Sequence, residues 1–150
     1  NAYIMLLTKS SEYAIRLVFH LNSREESFVR LKEIAKILEI PYYQLAKVAN
    51  ILIRHEILKS HTGPRGGVQL KIDISKTTLI KIVEPFEGDD IFNKCVLGLS
   101  VCGSDNPCPI HEYWGATKFE IVELFTVKSI KDLIEINNEL TEKNILFSKT

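Results

Sequence analysis

The sequence predicts a mainly α fold that carries one two-stranded β hairpin and a long helix toward the C-terminus. Three observations predict it. Apolar residues recur at helical spacing through most of the chain. One strong turn signal, Gly63-Pro64-Arg65-Gly66-Gly67, stands between two short alternating pieces. A stripe at Ile110, Trp114, Ile121, Leu124 and Phe125 then keeps helical spacing for about four turns. With 150 residues, 45% of them apolar and 25% charged, the chain has room for one globular domain or a small domain with an appended element.

The elements follow in order. Thr8 to Asn22 places apolar residues at 14, 15, 18, 19 and 21 behind a Ser/Thr cluster, predicting a helix capped by Ser10 or Ser11. Leu31 to Leu38 is a second, short amphipathic helix with its stripe at 31, 34, 35 and 38. Pro41 ends it, because proline drives the preceding residue out of helical geometry, and also opens the next helix. That third helix runs from Tyr42 to Arg54. Leu45, Val48, Ile51 and Leu52 face inward, and Tyr43, Gln44, Lys47, Asn50 and Arg54 face outward. Two short helices joined by a tight turn form a helix-turn-helix. The hairpin over Ile57 to Leu70 directly after it makes the arrangement a winged helix-turn-helix.

Ser75 to Phe86 predicts a further helix with Leu79, Ile80, Ile82 and Val83 as its core side. The striped helix over 110–125 needs a surface to cover it, either its own domain or a second copy of the chain. Ser129 and Asp132 have the spacing of a capping pair for a last helix to about Ile136, with a mobile tail beyond Asn137. The division expected is a winged helix-turn-helix over 1–88, a cysteine-rich loop over 89–109, and a long helix with its C-terminal helix and tail over 110–150.

All three cysteines, Cys95, Cys102 and Cys108, fall in that loop, followed closely by His111. Glycines 98 and 103 and prolines 107 and 109 keep the backbone irregular. Clustered thiols in such a loop suit soft-metal or redox chemistry better than packing. An iron–sulfur cluster is the first expectation. Zinc is an alternative, although its structural sites pair cysteines more closely than this chain does. A metal-free thiol switch is a third. An odd thiol count and the absence of a secretory-signal pattern point to reduced thiols and a cytoplasmic location. No apolar run reaches the roughly 18 residues that would span a membrane.

The net charge is zero, yet residues 1–75 hold 11 Lys/Arg against 7 Asp/Glu, whereas residues 76–150 hold 8 against 12. Between Pro41 and Lys71 the only acid is Glu56. A basic region on a helix-turn-helix suits a polyanion, here double-stranded DNA. Tyr43, Gln44 and Lys47 stand at the helix end that enters a major groove, where Gln44 can pair with adenine and Lys47 with guanine or a phosphate. Arg54 and Lys59 suit backbone phosphates. Arg65, beside Gly66 and Gly67, suits a narrow minor groove. No nucleophile–histidine–carboxylate arrangement or paired catalytic carboxylates can be identified, so no enzymatic activity is expected.

The order of MLLTKSSEYAIRL, LKEIAKILEIPYYQLAKVANIL, ILKSHTGPRGGVQL and IVEPFEG resembles the Rrf-two family of bacterial winged-helix transcription regulators of the IscR/NsrR type. The resemblance covers roughly Met5 to Leu133. It implies a homodimer on operator DNA, acting as a repressor, with the helix 110–125 as the dimerisation contact. It also implies a [2Fe-2S] or [4Fe-4S] cluster on Cys95, Cys102 and Cys108, with His111 or, alternatively, Glu12 as fourth ligand. The chain departs from the family at Glu56, where a glycine is common, at Val68, where an aromatic is usual, and at Ala46, where some members carry a base-selecting glutamate. It also has six residues between the first two cysteines where many members have five. A small iron–sulfur or thiol electron carrier without specific DNA binding is the alternative of another class.

Overall fold

A computed structural model describes residues 7–22, 27–88, 92, 95, 97–98, 105 and 107–142, the side chains of 140–142 excepted. Helices α1 (Lys9–Asn22), α2 (Leu31–Ile37) and α3 (Tyr42–Arg54) lead into strands β1 (Leu58–His61) and β2 (Gly67–Leu70). Helices α4 (Leu79–Glu87), α5 (His111–Thr126) and α6 (Ile130–Glu142) follow. The two strands pair antiparallel, with Leu58 opposite Leu70 and His61 opposite Gly67. The fold is the expected winged helix-turn-helix.

One core unites these elements. Leu17 and Leu21 of α1, Ile34 of α2, Leu45 and Leu52 of α3, Ile57, Leu58, Ile82 of α4 and Ile130 of α6 are fully buried in it. At about 1.5–3 kcal/mol per buried aliphatic side chain, this shared interior is what holds short helices that would not persist alone. Leu17 belongs to the core although the predicted stripe of α1 omitted it, while Ile15 and Phe19 are only half-buried.

The ends of the helices correct several expectations. Thr8, not Ser10 or Ser11, caps α1: its carbonyl accepts from the Glu12 N–H at 3.1 Å and its hydroxyl from the Ser11 N–H at 3.3 Å. Ser11 is instead fully buried and donates to Glu87 Oε1 at 2.5 Å. The same oxygen accepts from the Thr8 N–H and the Thr8 hydroxyl, both at 2.7 Å. Helix α4 begins at Leu79, not Ser75, because Asp73 holds the preceding turn. Its carboxylate accepts from Ser75 N–H and hydroxyl, and its carbonyl accepts from the Thr77 hydroxyl. The last helix runs past Ile136 to Glu142, since nothing in Asn137 to Glu142 breaks it. Residues 143–150 lie outside the described residues.

Both helices of the helix-turn-helix end alike. Glu39 and Glu56 take left-handed backbone angles, φ +54° and +60°. The Ile40 N–H reaches the Ala35 carbonyl at 3.0 Å, and the Ile57 N–H reaches the Leu52 carbonyl at 2.9 Å. These are Schellman closures with glutamate where glycine costs least. Ile40 and Ile57 are buried immediately beyond them, and that burial holds the strained residue in place.

Helix α6 is bolted to the core. The Ile130 N–H donates to the Thr77 carbonyl at 2.7 Å and the Lys131 N–H to the Ile74 carbonyl at 3.1 Å. Ser129 and Asp132 form the expected reciprocal cap, with distances of 3.0 and 3.1 Å. Helix α5 is different. Of its predicted stripe Phe125 is buried, Trp114 and Ile121 are half-buried, and Leu124 is 55% exposed. Tyr113 and Phe119 are exposed by 78% and 69%. Its own domain leaves much of the apolar surface of α5 uncovered.

Candidate functional site

Helix α3 separates its two sides cleanly. Leu45, Val48, Ala49 and Leu52 are buried, whereas Tyr43, Gln44, Lys47, Asn50 and Arg54 are exposed. Ile51, expected to face inward, is only half-buried, and Ala49, which that expectation left out, is buried. Pro41 supplies the first accepting carbonyl, to the Gln44 and Leu45 N–H groups at 3.0 and 3.1 Å. Lys47 Nζ stands 4.4 Å over the Tyr43 ring, and Lys32 Nζ of α2 stands 5.7 Å from the Tyr42 ring. Each cation is thus steered by a neighbouring aromatic face rather than left to swing freely. Tyr42 and Lys32 join the exposed end of α3 without having been singled out in the sequence, where tyrosine beside tyrosine was the available signal.

The hairpin carries Lys59 and Arg65 exposed, the latter at its tip. Its glycines have packing reasons of their own. A Cβ on Gly66 would lie 2.4 Å from the His61 carbonyl oxygen, and one on Gly67 would lie 2.2 Å from that of Val29. The second clash exists because residues 28–30 lie against the hairpin like a third strand. Val29 and Val68 exchange backbone hydrogen bonds at 3.0 and 2.9 Å. The Phe28 and His61 rings lie 5.4 Å apart, with Lys59 Nζ 5.9 Å from the Phe28 ring. Arg30 Nη2 donates to the Pro64 carbonyl at 2.7 Å. Val68 is buried under this bracing segment, which accounts for a compact aliphatic residue there. At the hairpin's other end Lys71 pairs with Glu56 at 2.6 Å and holds that carboxyl below its ordinary range.

The thiol region is described in part. Cys102 lies outside the described residues. Cys95 is buried, its carbonyl accepting from the Gly98 N–H at 2.9 Å across a turn that puts Gly98 at φ +74°. Cys108 is half-buried just before α5, and its carbonyl accepts from the His111 N–H at 3.0 Å. Cys108 and His111 therefore leave the chain within one turn at the start of a helix. Neither Cys95 nor Cys108 is in a disulfide. Among the described residues no three His, Cys, Asp or Glu side chains converge as a metal site. The donor chemistry fits an iron–sulfur cluster, with three soft thiols and one nitrogen or oxygen donor. Glu12 sits in the first turn of α1 and pairs with Lys9 at 2.7 Å. Among the described residues no helix is long and apolar enough to cross a membrane.

Comparison with known proteins agrees with this geometry. Residues 7–136 match the model of the Rrf2 family, described as an iron-dependent transcriptional regulator. A putative helix-turn-helix transcriptional regulator of Aquifex aeolicus is 34% identical over 137 residues, spanning 90% of this chain and 95% of that protein. The transcriptional regulator NsrR of Oceanobacillus iheyensis is 25% identical over 138 residues, spanning 91% and 94%. Among solved structures, CymR, the global cysteine regulator of B. subtilis, superposes with a TM-score of 0.72 at 20% identity, covering 87% of this chain and 96% of that one. IscR of T. potens gives 0.71 at 20% identity, covering 89% and 88%.

Proposed function

The chain belongs to the Rrf2 family of DNA-binding transcriptional regulators, and from that premise we propose a cytoplasmic, homodimeric repressor governed by an iron–sulfur cluster in its cysteine loop. Family membership sets aside an enzyme and the electron-carrier alternative. The observation that carries the DNA reading is the split of α3, apolar and buried on one side, with Tyr43, Gln44, Lys47 and Arg54 exposed on the other.

In this reading Tyr43, Gln44 and Lys47 enter the major groove, Gln44 reading adenine and Lys47 a guanine or phosphate. Arg54 and Lys59 neutralise phosphates and add salt-dependent affinity. Arg65 enters the minor groove, with Gly66 and Gly67 allowing close approach of the backbone. Ala46 stands where a longer side chain could select bases, so the operator differs from those read by a glutamate there. The exposed Tyr113, Phe119 and Leu124 of α5 support a dimer along that helix, which would set two α3 helices on half-sites. The division into residues 1–88, 89–109 and 110–150 is kept as a functional one, into reader, sensor loop and dimer element.

Cys95, Cys102 and Cys108 would hold the cluster, with His111 as fourth ligand and Glu12 as the alternative. Such a group, [2Fe-2S] or [4Fe-4S], supplies a centre reactive toward oxidants and nitric oxide. The chain's part would be to seat Cys108 in the turn that leads into α5 and His111 at the first residue of that helix, so that a change in either donor's position is passed to the helix that sets the dimer. Anaerobic purification with a visible spectrum and iron, sulfide and zinc analysis tests this. Iron with acid-labile sulfide is expected. Zinc, or no metal after reconstitution, would overturn the cluster and leave a zinc site or thiol switch.

A further inference from the structure

The wing needs more than its own two strands to present Arg65, and the structure shows what else holds it. Residues 28–30 touch it at three places. Phe28 meets the His61 ring of β1, Val29 exchanges hydrogen bonds with Val68 of β2, and Arg30 reaches the tip. Only the last of these touches the turn itself, at Pro64, the residue before Arg65. The backbone of Arg30 is meanwhile the N-cap of α2, its carbonyl accepting from the Glu33 and Ile34 N–H groups at 3.0 and 3.2 Å. One residue therefore joins the start of the helix-turn-helix to the end of the wing.

We infer that Arg30 is a positioning residue for DNA binding: its guanidinium, bonded to the Pro64 carbonyl, fixes the wing tip and hence Arg65 relative to α3. This rests on the DNA reading above, in which Arg65 contacts the groove. A guanidinium suits the task because it is always charged and its planar donors hold a carbonyl in a set direction. Among the described residues the tip is otherwise lightly held. Within the turn the Gly66 N–H donates to the Gly63 carbonyl at 2.9 Å, and Gly63, Pro64 and Arg65 are all exposed. An exposed arginine beside DNA could instead contact a phosphate directly, and the two roles give different results.

The test uses the full-length protein and a duplex selected from a random pool. Arg30→Ala is expected to weaken binding about five-fold, the scale of one lost hydrogen bond. Arg65→Ala is expected to weaken it further, and Arg30→Ala added to Arg65→Ala to cost nothing more, because there is no longer a tip contact to position. Arg30→Lys, which keeps a donor, should recover part of the loss. Additive losses in the double variant would overturn the inference and make Arg30 a direct contact. A second readout needs no DNA. Amide hydrogen exchange at Gly66 in the free protein should quicken in Arg30→Ala and stay unchanged in Arg65→Ala. Unchanged exchange in Arg30→Ala would overturn the inference by itself. An Arg65→Ala variant that binds normally, with exchange at Gly66 quickened by Arg30→Ala, would instead refute the groove contact and leave the bracing intact.

Discussion

Gly67→Ala probes the bracing of the wing most severely. The added Cβ would stand 2.2 Å from the Val29 carbonyl oxygen, 2.5 Å from its carbon and 3.0 Å from the Arg30 nitrogen, all backbone atoms. Ordinary contact starts near 3.4 Å, so no rotamer change relieves the overlap and the two backbones must part. A separation of roughly an ångström is enough to break the Val29–Val68 hydrogen bonds, because such bonds fail a few tenths of an ångström beyond their usual length. Two such bonds at about 1 kcal/mol each, with partial exposure of two buried valines worth about 1.5–3 kcal/mol apiece when fully buried, give an expected loss of about 2–4 kcal/mol. Urea unfolding followed by circular dichroism measures it. Gly63→Ala is the control: φ there is +106° but no atom lies within 4 Å of the added Cβ, so only backbone strain is paid. A loss for Gly67→Ala no greater than for Gly63→Ala would refute the steric argument.

Three further outcomes follow from the ends of the helices. Glu87→Ala removes the acceptor of the buried Ser11 hydroxyl and should cost about 1–3 kcal/mol in urea unfolding, with Glu87→Gln recovering part of it. A cost near zero would mean that this carboxylate does not hold α1 to α4. Glu39→Gly relieves a left-handed glutamate but loosens the unfolded chain, and the balance is a gain of about 0.5 kcal/mol, visible as a raised urea midpoint. The Asp132 carboxyl is held below its ordinary value, first by the Ser129 hydroxyl and then by the Ser129 N–H. Its contribution is therefore present above pH about 4, the unfolded value, and lost as pH falls through the lower folded value. Amide exchange at residues 129–134 should quicken over that acid range in the wild type, while Asp132→Asn should lack that acid-linked step.

What could be read from the sequence depended on how local the signal was. Helices α2 and α3 were legible because their apolar spacing is regular and Pro41 divides them. The hairpin was legible because Gly63 to Gly67 admits little else. Phe28 to Arg30 was not, since three residues show no periodicity and their role arises only when β2 lies beside them. The start of α4 was missed because Asp73 and Thr77 use their hydrogen bonds locally, a competition that apolar spacing does not reveal. Glu39 and Glu56 gave no glycine to mark a left-handed end, although Ile40 and Ile57 just beyond were the available sign. Among the candidate site residues, Tyr43, Gln44, Lys47, Arg54, Lys59 and Arg65 stand exposed, whereas Gly66 and Gly67 are half-buried against His61 and Val29. The seat shared by Cys108 and His111 was suggested by spacing alone, and Cys102 lies outside the described residues.

The most direct measurement compares operator affinity of one anaerobic preparation after reconstitution with iron and sulfide and again after chelation, at fixed salt, beside a Cys102→Ala variant. If the loop governs the reader, the two forms should differ at least ten-fold, and Cys102→Ala should bind like the stripped protein in both states. Equal affinities of the loaded and stripped forms would contradict the account and separate the cysteine loop from DNA binding.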